Sequence, residues 1–317
     1  MSSADSASGL RSFDSVVTEW GTARIGVTPP GPRRARAAAP ALAAPARARA
    51  RGRARVLTAL LFLVLVGVLA LVVPVLGGDA MAARSAPWLP AGSTGHLWGT
   101  DGHGRDVALQ VMLGARSALV TAVGSAMLAT FLAVGCTAAS TYMGPLGALL
   151  AALCGLLRTV PRFVLIAVVL AMHEPALWKT VLLAGLLYMP SGVAALQADW
   201  VQLRRVPFAD AARLAGLGER AVFFRVMLPH VAGRIASIFA SIAASAMLLE
   251  AALGFLALND PAWPSWGTML AQAMPLQAKA WWPCVLTGLA LTLCVLAFRV
   301  LAHAHAVRGR GSERTWP

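Results

Sequence analysis

Lysine is nearly missing from this chain. Its 317 residues hold only Lys179 and Lys279, and neither follows a glycine-rich, phosphate-cradling loop. A P-loop hydrolase needs that lysine against the nucleotide phosphates, so the chain is not expected to hydrolyse ATP. Charge is scarce too: Asp, Glu, Lys and Arg make up 13% of residues, with 13 acidic side chains against 27 basic ones. The four cysteines, Cys136, Cys154, Cys284 and Cys294, stand far apart inside apolar runs, without the spacing of a metal site. They read as small lipid- or core-facing residues. No Ser-His-Asp order, nucleophile elbow or metalloprotease helix is present. The six histidines are scattered, His303 and His305 lying at the end of the last apolar run. The sequence therefore names no catalytic residue and no metal ligand. In the loop after the first apolar run, Asp101, His103 and Asp106 lie close together but lack a metal site's helical spacing.

Apolar residues are abundant instead, at 58%. A soluble domain could not carry so apolar a surface, so the composition is that of an all-α polytopic membrane protein. The formal net charge of +14 comes from arginines gathered in tails and connecting loops, as expected of cytoplasmic membrane flanks. Residues 1–55, ending PRRARAAAPALAAPARARARGRAR, are too biased toward Ala, Pro and Arg to bury a core and read as a disordered tail. That arginine block suits anionic lipid headgroups. Without interleaved aromatics it does not suit nucleic acid.

Six apolar runs are long enough to span a bilayer as helices. They cover 56–76, 119–142, 146–172, 176–196, 231–258 and 280–303. Residues 56–112 then form a first transmembrane helix with an extracytoplasmic loop, 113–306 the main multi-span membrane domain, and 307–317 a basic tail. With the amino terminus inside, span parity puts the loop after the first span outside. It puts 207–230 and both termini in the cytoplasm.

Polar residues inside these runs are few. In the fifth, Ala236, Ala240 and Ala244 recur every fourth residue, as do Ser237, Ser241 and Ser245. Such stripes let helix backbones approach closely, or they line a polar translocation path. Arg158 and Arg162 fall one helical turn apart in the third run and should share a face, with Pro161 between them loosening the ladder. They either face a central cavity and favour an anionic solute, or pair with a neighbouring subunit's acid or snorkel to the surface. Glu250, near the outer end of the fifth run, is grouped with these candidate path residues and reads as a structural or gating contact.

Residues 207–230, PFADAARLAGLGERAVFFRVMLPH, interrupt the apolar pattern. Pro207 suits the first position of a helix and Asp210 its positive end. Ala211 and Ala212 are strong helix formers. Gly216 and Gly218 permit the backbone that ends a helix, and Leu228-Pro229 is expected to break the pattern before the next span. The result is a compact knob that can dock in a groove on a soluble partner. Asp210-Ala211-Ala212, three residues, Gly216 and then Met227-Leu228-Pro229 resemble the EAA loop of ATP-binding-cassette importer permeases, with Asp for the usual Glu; the resemblance implies that 207–230 is the coupling segment that sits on an ATPase subunit.

Two further blocks resemble one branch of those permeases. In the outer loop, Gly99-Thr100-Asp101 and Gly104-Arg105-Asp106 are followed by Gly114-Ala115-Arg116. Alone they suggest turns held by Asp side chains and an Arg-carboxylate pair. After Leu249-Glu250-Ala251-Ala252-Leu253-Gly254-Phe255-Leu256 comes Pro264-Ser265-Trp266-Gly267-Thr268-Met269-Leu270. Together the blocks are similar to the second, shorter permease of the dipeptide, oligopeptide and nickel importers. Gly254 stands where that family usually has Ser, and Ala257 where it has Gly. Past Phe298 the likeness fades, Arg299-Val-Leu-Ala-His replacing the family's usual tail. The resemblance implies a six-span type I (MetI-like) importer fold in the plasma (inner) membrane. It implies a second homologous permease, two ATPase domains carrying ATP and Mg, and an extracytoplasmic binding protein that delivers peptide, nickel chelate or a related solute. The alternatives are a structural or regulatory subunit that kept the fold without transport, and an ion-driven secondary transporter.

Overall fold

The computed structural model describes residues 52–72, 85–203, 216, 218, 221–276 and 279–312. The tail 1–51 and the first half of the expected coupling segment, with Asp210, Ala211 and Ala212, lie outside the described residues. Among those described there is no strand, only isolated bridges between Ser93 and His96 and between Thr100 and Asp106. The helices are α1 (Gly52–Val72), α2 (Val107–Tyr142), α3 (Gly144–Leu157), α4 (Arg162–Met172), α5 (Leu177–Leu203), α6 (Ala232–Phe255), α7 (Trp266–Ala273) and α8 (Trp282–Ser312). Five are long and apolar enough to cross a bilayer, or six when α3 and α4 count as one bent span.

The expected boundaries shift where caps act. α1 already includes residues 52–55, which the composition had assigned to the tail. α2 begins twelve residues before Leu119, because Asp106 caps its first turn, accepting from Leu109 N at 3.1 Å. Its 36 residues extend about 54 Å, well beyond a hydrocarbon core of about 30 Å. At its far end α8 continues as helix to Ser312.

The third apolar run is not one straight span. α3 and α4 meet at 83°. Pro161 has no N–H and disfavours helix at the residue before it. It sits at the N-cap of α4 in an extended conformation. α3 closes with Arg158 N donating to Gly155 O and Thr159 N to Leu156 O, at 3.2 and 3.0 Å. Arg158 and Arg162 thus flank a corner, and the expectation that they share a helical face is corrected. At Pro229 the expected interruption comes two residues late. A π-helical turn over Val222–Met227, with Leu228 N bonded to Phe223 O, carries the helix through the proline to His230, and it breaks at Val231, before α6 begins.

The packing reverses the pattern of a soluble protein. Small residues lie inside, and Leu57, Leu61, Phe131, Val164 and Leu289 are among the large side chains exposed outward, as lipid contact requires. α6 is the central helix, with 67% of its apolar window buried against 17% for α1. A stripe that the sequence reading passed over runs along α2: Ala115, Ala118, Ala122, Ala126, Ala129 and Ala133 are all at most 2% exposed. α5 presses close to this helix, and a Cβ at Gly192 would fall 2.9 Å from that of Ala133.

Candidate functional site

Three groups of residues, at the two ends and the middle of the helical unit, carry the predicted motifs. At the loop end, Asp101 organises the turn. Its Oδ1 accepts from His103 N and Arg105 N at 2.8 and 2.9 Å, and its Oδ2 from Arg105 Nε at 2.8 Å. This is the expected Asp-held turn with its Arg-carboxylate pair, and Gly99 and Gly104 take the positive φ values it needs. Thr100 is fully buried, donating to Ala86 O and accepting from Leu89 N at 2.8 Å. Asp106 joins the α2 cap to His96, whose Nδ1 lies 2.8 Å from its Oδ2. The block is therefore a folded lid over the start of α2.

The second block sits directly beside it. Pro264 O accepts from Ser117 Oγ of α2 at 2.7 Å. Ser265 caps α7, accepting from Gly267 N at 3.1 Å. Trp266, 1% exposed, donates to Val111 O at 2.8 Å. Gly267 lies so close to α6 that a Cβ would collide with Ala251 O and stand 2.6 Å from Phe255 N. Glu250, 2% exposed, has Oε1 at 3.2 Å from Ser117 Oγ. It is buried among α2, α6 and α7, whereas the sequence grouped it with translocation-path candidates. Just beyond, α6 ends with Leu258 N donating to Leu253 O and Ala257 N to Gly254 O, the double bond of a Schellman cap. Ala257 takes the left-handed position, φ 57°, which accounts for the usual glycine there. Asp260, overlooked in the sequence, ties this turn to the start of α5 by accepting from Leu177 N at 3.2 Å.

In the middle lie the serines. Ser237 is buried and donates to Ala302 O of α8 at 2.7 Å, so its role is helix packing. Ser241 and Ser245 are half-buried, and Ser245 Oγ donates to Ser241 O at 3.0 Å. Tyr188 of α5 donates its hydroxyl to Ser245 O at 3.2 Å. Arg162 donates to Ser191 Oγ at 3.0 Å, its guanidinium 4.9 Å from the Tyr188 ring centroid. Arg158 is exposed and lies apart from this group.

At the other end, α5 and α6 flank the expected coupling segment. Gly216 has φ 83°, as a glycine bend requires. Phe223 of the π-helical turn, 2% exposed, packs on Trp200 with ring centroids 4.6 Å apart and edge-on to Tyr142 at 5.7 Å. Leu228 joins this cluster, and Pro229 is exposed. Arg234 Nε lies 2.9 Å from Asp199 Oδ2, bridging α6 to α5. The sequence reading singled out neither this pair nor Trp200. The two acid and base positions are 35 residues apart, and only the antiparallel return of the chain aligns them. Among the described residues no group of three His, Cys, Asp or Glu side chains could hold a metal.

Residues 131–308, more than half of the chain, match the model of the family described as binding-protein-dependent transport system inner membrane component. The chain belongs to that family. Among curated relatives, a protein of Brucella suis biovar 1 (strain 1330), provisionally named a peptide transport system permease, is 29% identical over 251 residues, covering 74% of this chain and 83% of its own. The di/tripeptide transport system permease protein DppC of Pseudomonas aeruginosa (strain UCBPP-PA14) is 31% identical, covering 68% of this chain and 71% of its own. A second B. suis protein, provisionally named a peptide permease, is 34% identical over 70% of this chain and 74% of its own. This inner membrane component thus has the expected helical permease fold. Its family works with ATPase and substrate-binding partners in general.

Proposed function

We propose that the chain is one of two homologous permeases of an ATP-driven importer for peptides, with its termini and residues 207–230 in the cytoplasm. The observation that carries the coupling role is the clamp at the base of that segment. Phe223 wedges between Trp200 and Tyr142, and Arg234 holds Asp199. A segment so anchored at both flanks passes displacement to α2, α5 and α6 as rigid bodies. Asp210, Ala211, Ala212 and Gly216 would seat in a groove of a partner ATPase, which supplies ATP and Mg. Closure of the ATPase pair would then shift the permeases between inward- and outward-open states. An extracytoplasmic binding protein would meet the loop-end lid. Peptides as cargo follow from the names of those relatives; a nickel chelate is the second solute class.

A mild-detergent pull-down of the tagged chain tests the assembly. A second permease and P-loop ATPases should be recovered, and lost when residues 210–216 are scrambled. Gly216→Pro, which cannot adopt a positive φ, should leave insertion intact and abolish ATP-dependent uptake. Recovery of the chain alone would favour a subunit that kept the fold without transport. Uptake that follows an ion gradient and ignores ATP would favour a secondary transporter.

A further inference from the structure

Two arginines from distant parts of the chain converge in the middle of the helical unit. Arg162 opens α4, and Arg299 lies in α8, 17 residues past Trp282 and 6 before His305, the ends of that apolar span. Helical side chains lean toward the N-terminus of their helix, so Arg299 leans inward and not to the nearer membrane surface. Its Nη2 stands 3.4 Å from Ser245 Oγ. The register bears this out. Ser237 lies opposite Ala302, so in the antiparallel pair Ser245 lies opposite a level about 7 Å nearer the N-terminus of α8 than Arg299, and the guanidinium extends back across that gap. Tyr188 connects the two cations: its ring carries Arg162 and its hydroxyl bonds Ser245 O.

Neither guanidinium has a carboxylate partner among the described residues. Arginine at membrane depth costs several kcal/mol without a partner or water, and two such charges around one tyrosine repel each other. Neutral hydroxyls and a ring offset only part of that cost. Arg162 is half-buried and Arg299 exposed on this chain, so neither is sealed inside it. Guanidinium forks match a carboxylate in geometry and charge.

We propose that Arg162 and Arg299, with Tyr188 and Ser245 as neutral walls, form an intramembrane site for the carboxylate of the transported solute. The sequence pointed to Arg158 with Arg162; the structure assigns Arg299 as the partner instead. This inference rests on the importer reading given above. It adds a charge-selective step inside the permease, after delivery by the binding protein.

The test uses the complete importer in proteoliposomes with saturating binding protein. The probes are trialanine and its C-terminal amide, each delivered to wild type, Arg162→Gln/Arg299→Gln and Arg162→Lys/Arg299→Lys. ATP-dependent uptake of trialanine by wild type checks the importer reading separately. The expected result is a loss of roughly tenfold or more in trialanine uptake in the Gln pair, partial recovery in the Lys pair, and less than twofold change for the amide. Phenylglyoxal labelling of Arg299 should also be slowed by trialanine and not by the amide. Uptake of both peptides falling together, with easier dissociation of the second permease, would overturn the proposal, because the arginines would then pair with an acid of that subunit. Unchanged trialanine uptake and unprotected labelling would overturn it as well, leaving the importer reading intact.

Discussion

Replacing Gly267 with alanine should undock α7. The added methyl would collide with the Ala251 carbonyl and stand 2.6 Å from Phe255 N, both in the backbone of α6. A flexible side chain could swing aside; a helix backbone in the centre of the unit cannot. Relief requires α7 to retreat, which pulls Trp266 Nε1 from Val111 O, now 2.8 Å away. Overpacking a tight site costs about 1–3 kcal/mol, and a buried hydrogen bond left unmade adds about 1–3 kcal/mol. A central value of about 3 kcal/mol corresponds to a fall in Tm of roughly 5–10 °C. Gly155 in α3 is the control, because a Cβ there meets nothing within 4 Å. Alanine at that helical position should stabilise by up to about 1 kcal/mol. Purified variants heated in detergent and separated by size, with tryptophan fluorescence detection, give both values. If Gly267→Ala melts with wild type, the close approach of α7 to α6 is refuted. If Gly155→Ala falls as far, the effect belongs to glycine replacement in general and not to this contact.

Ala257→Gly should raise stability by about 1 kcal/mol, because it relieves a left-handed alanine at the α6 cap; an unchanged or lower melting point would count against that cap. Asp101→Asn removes the charge from the carboxylate that accepts two backbone N–H groups and Arg105. It should cost about 1–3 kcal/mol and show as faster proteolysis within residues 85–106 while membrane insertion persists. Equal protease resistance would mean the turn holds without it. Phe223→Ala empties the aromatic clamp and should cost about 3–5 kcal/mol. In the reconstituted importer it should let ATP hydrolysis continue while uptake falls, and retained coupling would remove the clamp from the mechanism.

Local chemistry alone determined much of this protein. Apolar runs near bilayer length yield spans whatever their neighbours do, because the backbone must satisfy itself in lipid. The Asp101 turn and the Gly216 bend were legible because each acts within a few residues. The broken third span was half legible: Pro161 announced a weakness, but not an 83° corner. Pro229 announced the break before α6 but not its form, since a π-helical turn upstream carries the helix past the proline and the interruption falls at Val231. Long-range partners were invisible. Nothing near Ser117 in the sequence announces Pro264, nor does Asp199 announce Arg234. Glu250 was read as lying near a path, and tertiary packing enclosed it among three helices. Arg162 was noticed as a costly charge, but which arginine stands with it depends on the bend after α3 and on the antiparallel register of α6 and α8. Only the folded chain brings the two arginines together, because they stand 137 positions apart in the sequence.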